Sequence, residues 1–212
     1  RPLDISWADE NVPSILETWH LGTESGNAIA QVLYGDYNPS GKLPMTFPRD
    51  VGQVPIYYNY KNTGRPSLPA PGIVFWSHYS DEVNAPLYPF GYGLSYTTFT
   101  YDGLKVLNTF KKDKTVKVIA TLKNTGSVEG REVAQLYIRD MYASVTRPVK
   151  ELKGFELVSL KPGESKLIEF TLTEKELGFY SNTGDWLLEN GTFEVFVGGS
   201  SATTNKATFE LK

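Results

Sequence analysis

The sequence predicts a mixed fold: a partial α/β sandwich at the N-terminus, an irregular aromatic linker, and an immunoglobulin-like all-β sandwich at the C-terminus. Three observations carry that division. Residues 1–48 alternate short apolar runs with one helical stripe, the pattern of βα layers. Residues 49–95 show almost no periodicity and are crowded with Pro, Gly, Tyr and Asn. Residues 96–212 hold about seven short runs with turn residues every ~8–12 positions, the pattern of a sandwich.

In the first region, Leu3–Ser6 reads as a short strand and Glu10–Val12 as a helical turn stopped by Pro13. Ser14–Trp19 reads as a second strand. Gly22 allows a turn, Thr23 can cap a helix over Thr23–Tyr34, and Glu24 meets its first-turn amides. Ala28, Ile29, Val32 and Leu33 form its apolar stripe, and Gly35 stands where a C-terminal glycine belongs. Asn38-Pro39-Ser40-Gly41 is a turn, and Lys42-Leu43-Pro44 opens an extended exit. Two strands and a helix cannot bury their own faces, so these pieces are expected to complete a larger α/β sheet.

The linker is the least periodic part. A structureless run of about 40 residues signals a functional loop, an extended connection or disorder. Ile56, Tyr57, Tyr58, Tyr60, Val74, Phe75 and Trp76 are expensive to leave in water, so order against a larger body is expected.

The third region opens its clearest strand at Lys114–Lys123, with Val116, Val118, Ala120 and Leu122 on one face. Asn124-Thr125-Gly126 follows as a turn. Glu132–Arg139 sets Val133, Gln135 and Tyr137 opposite Ala134, Leu136 and Ile138. Lys161-Pro162-Gly163-Glu164 turns into Ser165–Leu172, and Leu187-Leu188, Phe193, Val195 and Val197 supply the last strands.

Bulk properties exclude several classes. A net charge of -3 gives no footprint for nucleic acid or an anionic membrane. No apolar run approaches the ~20 residues of a membrane span. The absence of cysteine removes disulfides, thiolate catalysis and cysteine metal sites. Arg1 opens directly into an apolar piece without Met or signal peptide, so the chain is read as the C-terminal part of a longer polypeptide.

Tyr57, Tyr58, Asn59, Lys61, Asn62 and Arg65 form the candidate substrate-binding stretch, since stacking rings, amides and cations together suit sugar hydroxyls. Its bland reading is a linker clamped by its own aromatics. Trp76, His78, Tyr79 and Asp81 could also approach a sugar. His78 has no partner at metal-ligand spacing, and neither a metal nor another cofactor is expected. Glu24 and Asp36 read as helix-end and loop groups rather than acids, and His20 as packed or capped. The run Arg147, Lys150, Glu151 and Lys153 reads as a solvated strand edge that resists pairing.

Several strings resemble family-3 glycoside hydrolases of the β-glucosidase and β-xylosidase group. Trp19, Gly22-Thr23-Glu24, the Ala-rich helix, Gly35-Asp36, Asn38-Pro39-Ser40-Gly41 and Leu43-Pro44-Met45-Thr46-Phe47-Pro48 follow in the family's order. Arg1-Pro2-Leu3 resembles a Gly-Arg-Pro strand start without its glycine. Pro86 to Tyr96 resembles the family's passage into its last domain. Asn124 to Gly126, Glu132 to Gln135, Arg147 to Phe155 and Pro162 to Glu164 resemble its fibronectin-type-III-like domain. A Tyr-Tyr-Asn-x-x-Asn-Thr-Gly-Arg-Pro segment like Tyr57 to Pro66 occurs in a subset of its β-glucosidases.

The resemblance implies three parts: 1–48 ending an α/β sandwich, 49–95 linking, and 96–212 forming the fibronectin-like sandwich. It implies a retaining β-glucosidase acting on terminal β-D-glucosyl residues. Such an enzyme needs two carboxylates about 5–5.5 Å apart. The family carries both upstream of Arg1, so no catalytic residue is assigned here and the chain alone is expected to be inactive. The implied partners are the upstream catalytic domains, an oligosaccharide substrate and a second copy in a homodimer. The implied location is periplasmic or extracellular. The rival reading is a stand-alone, non-catalytic carbohydrate-binding or scaffold module. It has no use for the incomplete sheet at Leu3–Tyr34.

Overall fold

The computed structural model describes residues 3–62, 77–108 and 110–212. In chain order the elements are α1 (Ser6–Asn11), α2 (Ser25–Leu33), a 3-10 turn (Val51–Gln53), β1 (Phe99–Asn108), α3 (Phe110–Asp113), β2 (Val116–Asn124), β3 (Gly130–Asp140), β4 (Glu151–Leu160), β5 (Ser165–Leu172), α4 (Glu174–Leu177), β6 (Phe179–Tyr180), β7 (Trp186–Leu187), β8 (Gly191–Gly198) and β9 (Lys206–Leu211).

The C-terminal region is the expected sandwich. One sheet has the order β1-β2-β5 and the other β4-β3-β8-β9, with β6 and β7 forming a separate two-stranded ribbon. Neighbouring strands are antiparallel throughout. Alternation drives the packing. Val116, Val118, Ala120 and Leu122 point inward from β2, and Ala134, Leu136 and Ile138 meet them from β3. All seven are at most 1% exposed. Asn124 closes the β2 end. Its Nδ2 donates to Val128 O at 2.8 Å and Leu160 O at 3.0 Å, while its Oδ1 accepts from Thr97 Oγ1 at 2.6 Å. A capping box of Thr173 and Glu176 starts α4.

The N-terminal region differs from expectation. Neither Leu3–Ser6 nor Ser14–Trp19 forms a strand: α1 already begins at Ser6, and 14–19 carries no ladder. A strand is stabilised by hydrogen bonds to a neighbouring strand, and the described residues offer none here. α2 forms slightly inside the predicted Thr23–Tyr34. Glu24, not Thr23, occupies the N-cap, and it makes no side-chain cap bond. Gly35 has φ +83°, as a helix-ending glycine requires. Neither α1 nor α2 contains a buried residue.

Long-range backbone pairing begins at the extended exit. Residues 43–47 run antiparallel to 87–92, through Leu43 N to Tyr92 O at 2.8 Å, Gly91 N to Leu43 O at 2.8 Å and Phe47 N to Tyr88 O at 2.9 Å. Phe47 is 1% exposed, packed edge-on against Trp19 and Tyr88. Buried Gln53 ties the next turn down, its Nε2 donating to Val83 O at 2.8 Å and its Oε1 accepting from Arg49 N at 2.7 Å. Two strings about 45 residues apart in sequence thus form one ribbon. The ribbon and its continuation lie over the outer face of the β4-β3-β8-β9 sheet.

Candidate functional site

The candidate stretch 57–62 sits on that outer face, and its side chains divide into two sets. Tyr58 turns inward. Its ring stacks on Phe90 at 4.3 Å between centroids and meets Tyr137 of β3 edge-on at 5.8 Å. Its hydroxyl accepts from Leu152 N at 3.3 Å. Tyr57, Asn59, Tyr60, Lys61 and Asn62 are exposed, Tyr57 by 63% and Tyr60 by 57%. Backbone bonds hold the far end: Val149 N donates to Tyr60 O at 2.9 Å, and Lys61 bridges to Pro148. Rings, amides and an ammonium therefore share a solvent side with their backbone docked. Arg65 and Trp76 lie outside the described residues.

Beneath the stretch is a polar network that the sequence reading did not single out. Gln135 of β3 is 3% exposed. Its Nε2 donates to Gly91 O at 3.1 Å and Gly199 O at 2.7 Å, and its Oε1 accepts from Tyr137 Oη at 2.5 Å. Gly91 has φ +78°, and a Cβ there would land on Gln135 Oε1. Only glycine satisfies both conditions. Burial pushes the Tyr137 hydroxyl well above its usual range, with Tyr58 adding to the shift. The available signal was a glutamine at an otherwise apolar strand position, since a buried amide must find partners.

A second network joins the first region to the sandwich. Lys42 Nζ lies 3.0 Å from Glu132 Oε2 and donates to Gly93 O at 3.0 Å. Tyr101 Oη donates to Glu132 Oε1 at 2.9 Å, and burial followed by the Glu132 charge raises the tyrosine's pKa. These groups line a cleft of about 660 Å³ bounded by residues 92–99 and the β8–β9 loop. Asn38 of the Asn-Pro-Ser-Gly turn adds a clamp. Its Oδ1 accepts from Ser95 Oγ and Tyr96 N at 2.8 Å each, and its Nδ2 donates to Glu129 O at 2.9 Å.

The charged run does lie at the edge strand β4 and the passage into it, but it is not solvated. Arg147 pairs with Glu151 at 2.6 Å, its side chain only 13% exposed, and its guanidinium lies 4.8 Å from the Phe179 ring centre. Lys150 Nζ donates to Ser201 O and Thr203 O at 2.7 Å each, over the ring of Phe196. Burial lowers its pKa to about 8. The run folds inward because long side chains can bury their stems while the charged heads reach carbonyls and rings.

The remaining candidates are dispersed. Glu24 is exposed and accepts from Asn27 Nδ2 at 2.5 Å, as a first-turn group does. Asp36 and His20 are exposed. His78, Tyr79 and Asp81 lie in a loop that Asn84 ties through Ser77 O and Tyr79 N. Among the described residues, no three His, Cys, Asp or Glu come together as a metal site.

Comparison with known proteins agrees with this architecture. Residues 1–96 match the glycosyl hydrolase family 3 C-terminal domain, and residues 132–201 match the fibronectin type III-like domain. The chain belongs to the family-3 glycoside hydrolases and corresponds to their C-terminal region. It is 50% identical over 212 residues to a periplasmic β-glucosidase of Salmonella typhimurium and 47% identical to a β-xylosidase of Formosa agariphila. It spans 28% of the length of each. The β-glucosidase of Listeria innocua, crystallised with laminaribiose, superposes with a TM-score of 0.92 at 43% identity, covering 100% of this chain and 29% of that one.

Proposed function

We propose that the chain is the C-terminal part of a retaining β-glucosidase that acts on terminal β-D-glucosyl residues of oligosaccharides. It supplies scaffold and a substrate-side loop, while the nucleophile and the acid/base come from upstream domains of the same enzyme. The observation that carries this reading is similarity along all 212 residues to β-glucosidases more than three times as long. The uncovered apolar side chains of the first region support it, because Trp7 is 72%, Leu33 65% and Tyr34 85% exposed. Such a surface suits burial against a larger body better than life in water.

In this reading residues 1–48 complete the α/β sandwich, 49–95 link, and 96–212 brace the assembly. Tyr57, Asn59, Lys61, Asn62 and Arg65 meet the sugar. Export to the periplasm or cell exterior is part of this reading, supported by the similarity to a periplasmic enzyme. Among the described residues no helix is long and apolar enough to cross a membrane.

The test is release of nitrophenol from nitrophenyl β-glucoside and β-xyloside. The full-length polypeptide should prefer the glucoside, and purified residues 1–212 should stay at background because a retaining mechanism needs two carboxylates. Turnover by 1–212 that survives re-purification and disappears in Glu24→Gln overturns the assignment. Preference for the xyloside corrects the sugar.

A further inference from the structure

The β-sandwich reaches the candidate sugar loop through one aromatic stack. Tyr137 stands on β3, buried completely, with its hydroxyl held by Gln135 Oε1. Tyr58 lies against it edge-on and is covered on one face by Phe90. Phe90 is itself held, because its carbonyl accepts from Ser201 N at 2.9 Å and the next carbonyl, of Gly91, accepts from Gln135. Within 57–62 Tyr58 is the residue that is not exposed, and its ring anchors the loop on the sandwich. Its other ties to the sandwich are backbone contacts at Tyr60 and Lys61.

We propose that Tyr58 and Tyr137 are positioning residues: through their stack, the fibronectin-like sandwich sets where Tyr57, Asn59 and Lys61 stand in the sugar site. This rests on the reading of 57–62 as a substrate-side loop. The geometry separates two jobs that the sequence runs together. Tyr58 has one ring face committed to Phe90, an edge-to-face contact with Tyr137 and its hydroxyl on a backbone amide, so it serves the sandwich rather than a sugar. Tyr57, Asn59 and Lys61 beside it are exposed.

A ring anchor is suited to this. An edge-to-face pair fixes direction as well as distance, and a small tilt of Tyr58 swings the exposed side chains on either side of it. A binding group has to be held within about 0.5 Å of its productive position by the residues around it. The stack also gives the sandwich a role in recognition through the loop it holds.

The experiment compares Tyr58→Ala, Tyr58→Phe and Lys61→Ala in the full-length hydrolase, with hydrogen exchange on residues 1–212. Tyr58→Ala should raise KM at least tenfold with kcat within about twofold. Tyr58→Phe keeps the ring and should restore KM to within about twofold of the parent. In the chain, Tyr58→Ala should speed exchange at the Val149 and Leu152 amides and leave β2 unchanged, which shows that the sandwich still folds. If Lys61→Ala raises KM while Tyr58→Ala does not, the loop binds sugar but the stack does not position it, and the proposal falls alone. If neither variant changes KM, the loop is not at the sugar site, and the proposal falls with the reading beneath it. If Tyr58→Phe is as impaired as Tyr58→Ala, the hydroxyl rather than the ring is responsible, and the stacking argument is overturned.

Discussion

α2 and β2 carry apolar patterns of similar regularity and use them in opposite ways. β2 buries Val116, Val118, Ala120 and Leu122, each at most 1% exposed, against side chains from both sheets. α2 places Ala28, Ile29, Val32 and Leu33 on one stripe and buries none of them. The contrast is one of partners. The sandwich region carries both halves of its own core. The first region carries one face of an interface, and its helices of 6 and 9 residues are too short to persist on propensity. Stability in this chain therefore resides in 99–211, and the first region is tied to residues 93–96 and the sandwich through Asn38 and Lys42, and to the ribbon through Trp19 on Phe47.

A matched pair of leucines tests that division most strongly. Leu136→Ala removes a side chain with 0% exposure and should destabilise residues 1–212 by about 2–5 kcal/mol in urea unfolding. Leu33→Ala, at 65% exposure, should change stability by less than about 0.5 kcal/mol. In the full-length enzyme Leu33→Ala should become destabilising. If it stays neutral there, α2 has no partner and the contrast between the regions is intrinsic to the chain.

A smaller effect is expected at the turn that joins the sheets to the passage from the linker. Asn124→Ala strands the carbonyls of Val128 and Leu160 and the Thr97 hydroxyl. Leaving such buried groups unpaired costs about 1–3 kcal/mol, so the variant should fall between the two leucine changes. A neutral result would mean that water replaces the amide there.

The smallest effect is a pH dependence. Lys150 has a pKa near 8 in the folded chain, below its ordinary 10.5. Between those values the unfolded chain holds the proton and the folded chain has released it. Unfolding then takes up a proton, so the Lys150 contribution to stability rises with pH from about 8 upward and is least below 8. Subtracting the unfolding free energy of Lys150→Met from that of the parent at pH 7.5 and pH 9.5 should give a difference that grows with pH. A flat difference would mean that the two carbonyls on its ammonium outweigh burial.

Most of the sandwich was legible in the chain because alternation and turn chemistry are local. Ser165–Leu172 matches β5 to the residue, and side-chain order separates the two faces of β3 as the structure has them, although which face turns inward is read only from the structure. The first region was legible only in part. The α2 stripe and Gly35 are local signals and were found, whereas Leu3–Ser6 and Ser14–Trp19 have strand-like composition but no strand beside them in this structure. The inward fold of Arg147 and Lys150 was missed because charge alone does not tell whether a ring or a carbonyl waits nearby.

The sequence by itself determined the class of each region, the strands β2, β3, β5 and β8, the glycine-ended helix and the family, since each is written in residues close together along the chain. Only the tertiary structure decided the division of labour within 57–62. Tyr57 and Tyr58 are adjacent and chemically identical, so nothing local separates them. Tyr58 becomes an anchor because Phe90 and Tyr137, 32 and 79 positions away, converge on its ring, and Tyr57 stays exposed because nothing does. Contacts made at such separations are set by the register of β3 and by the path of the ribbon over it, and neither can be read from the segment they organise.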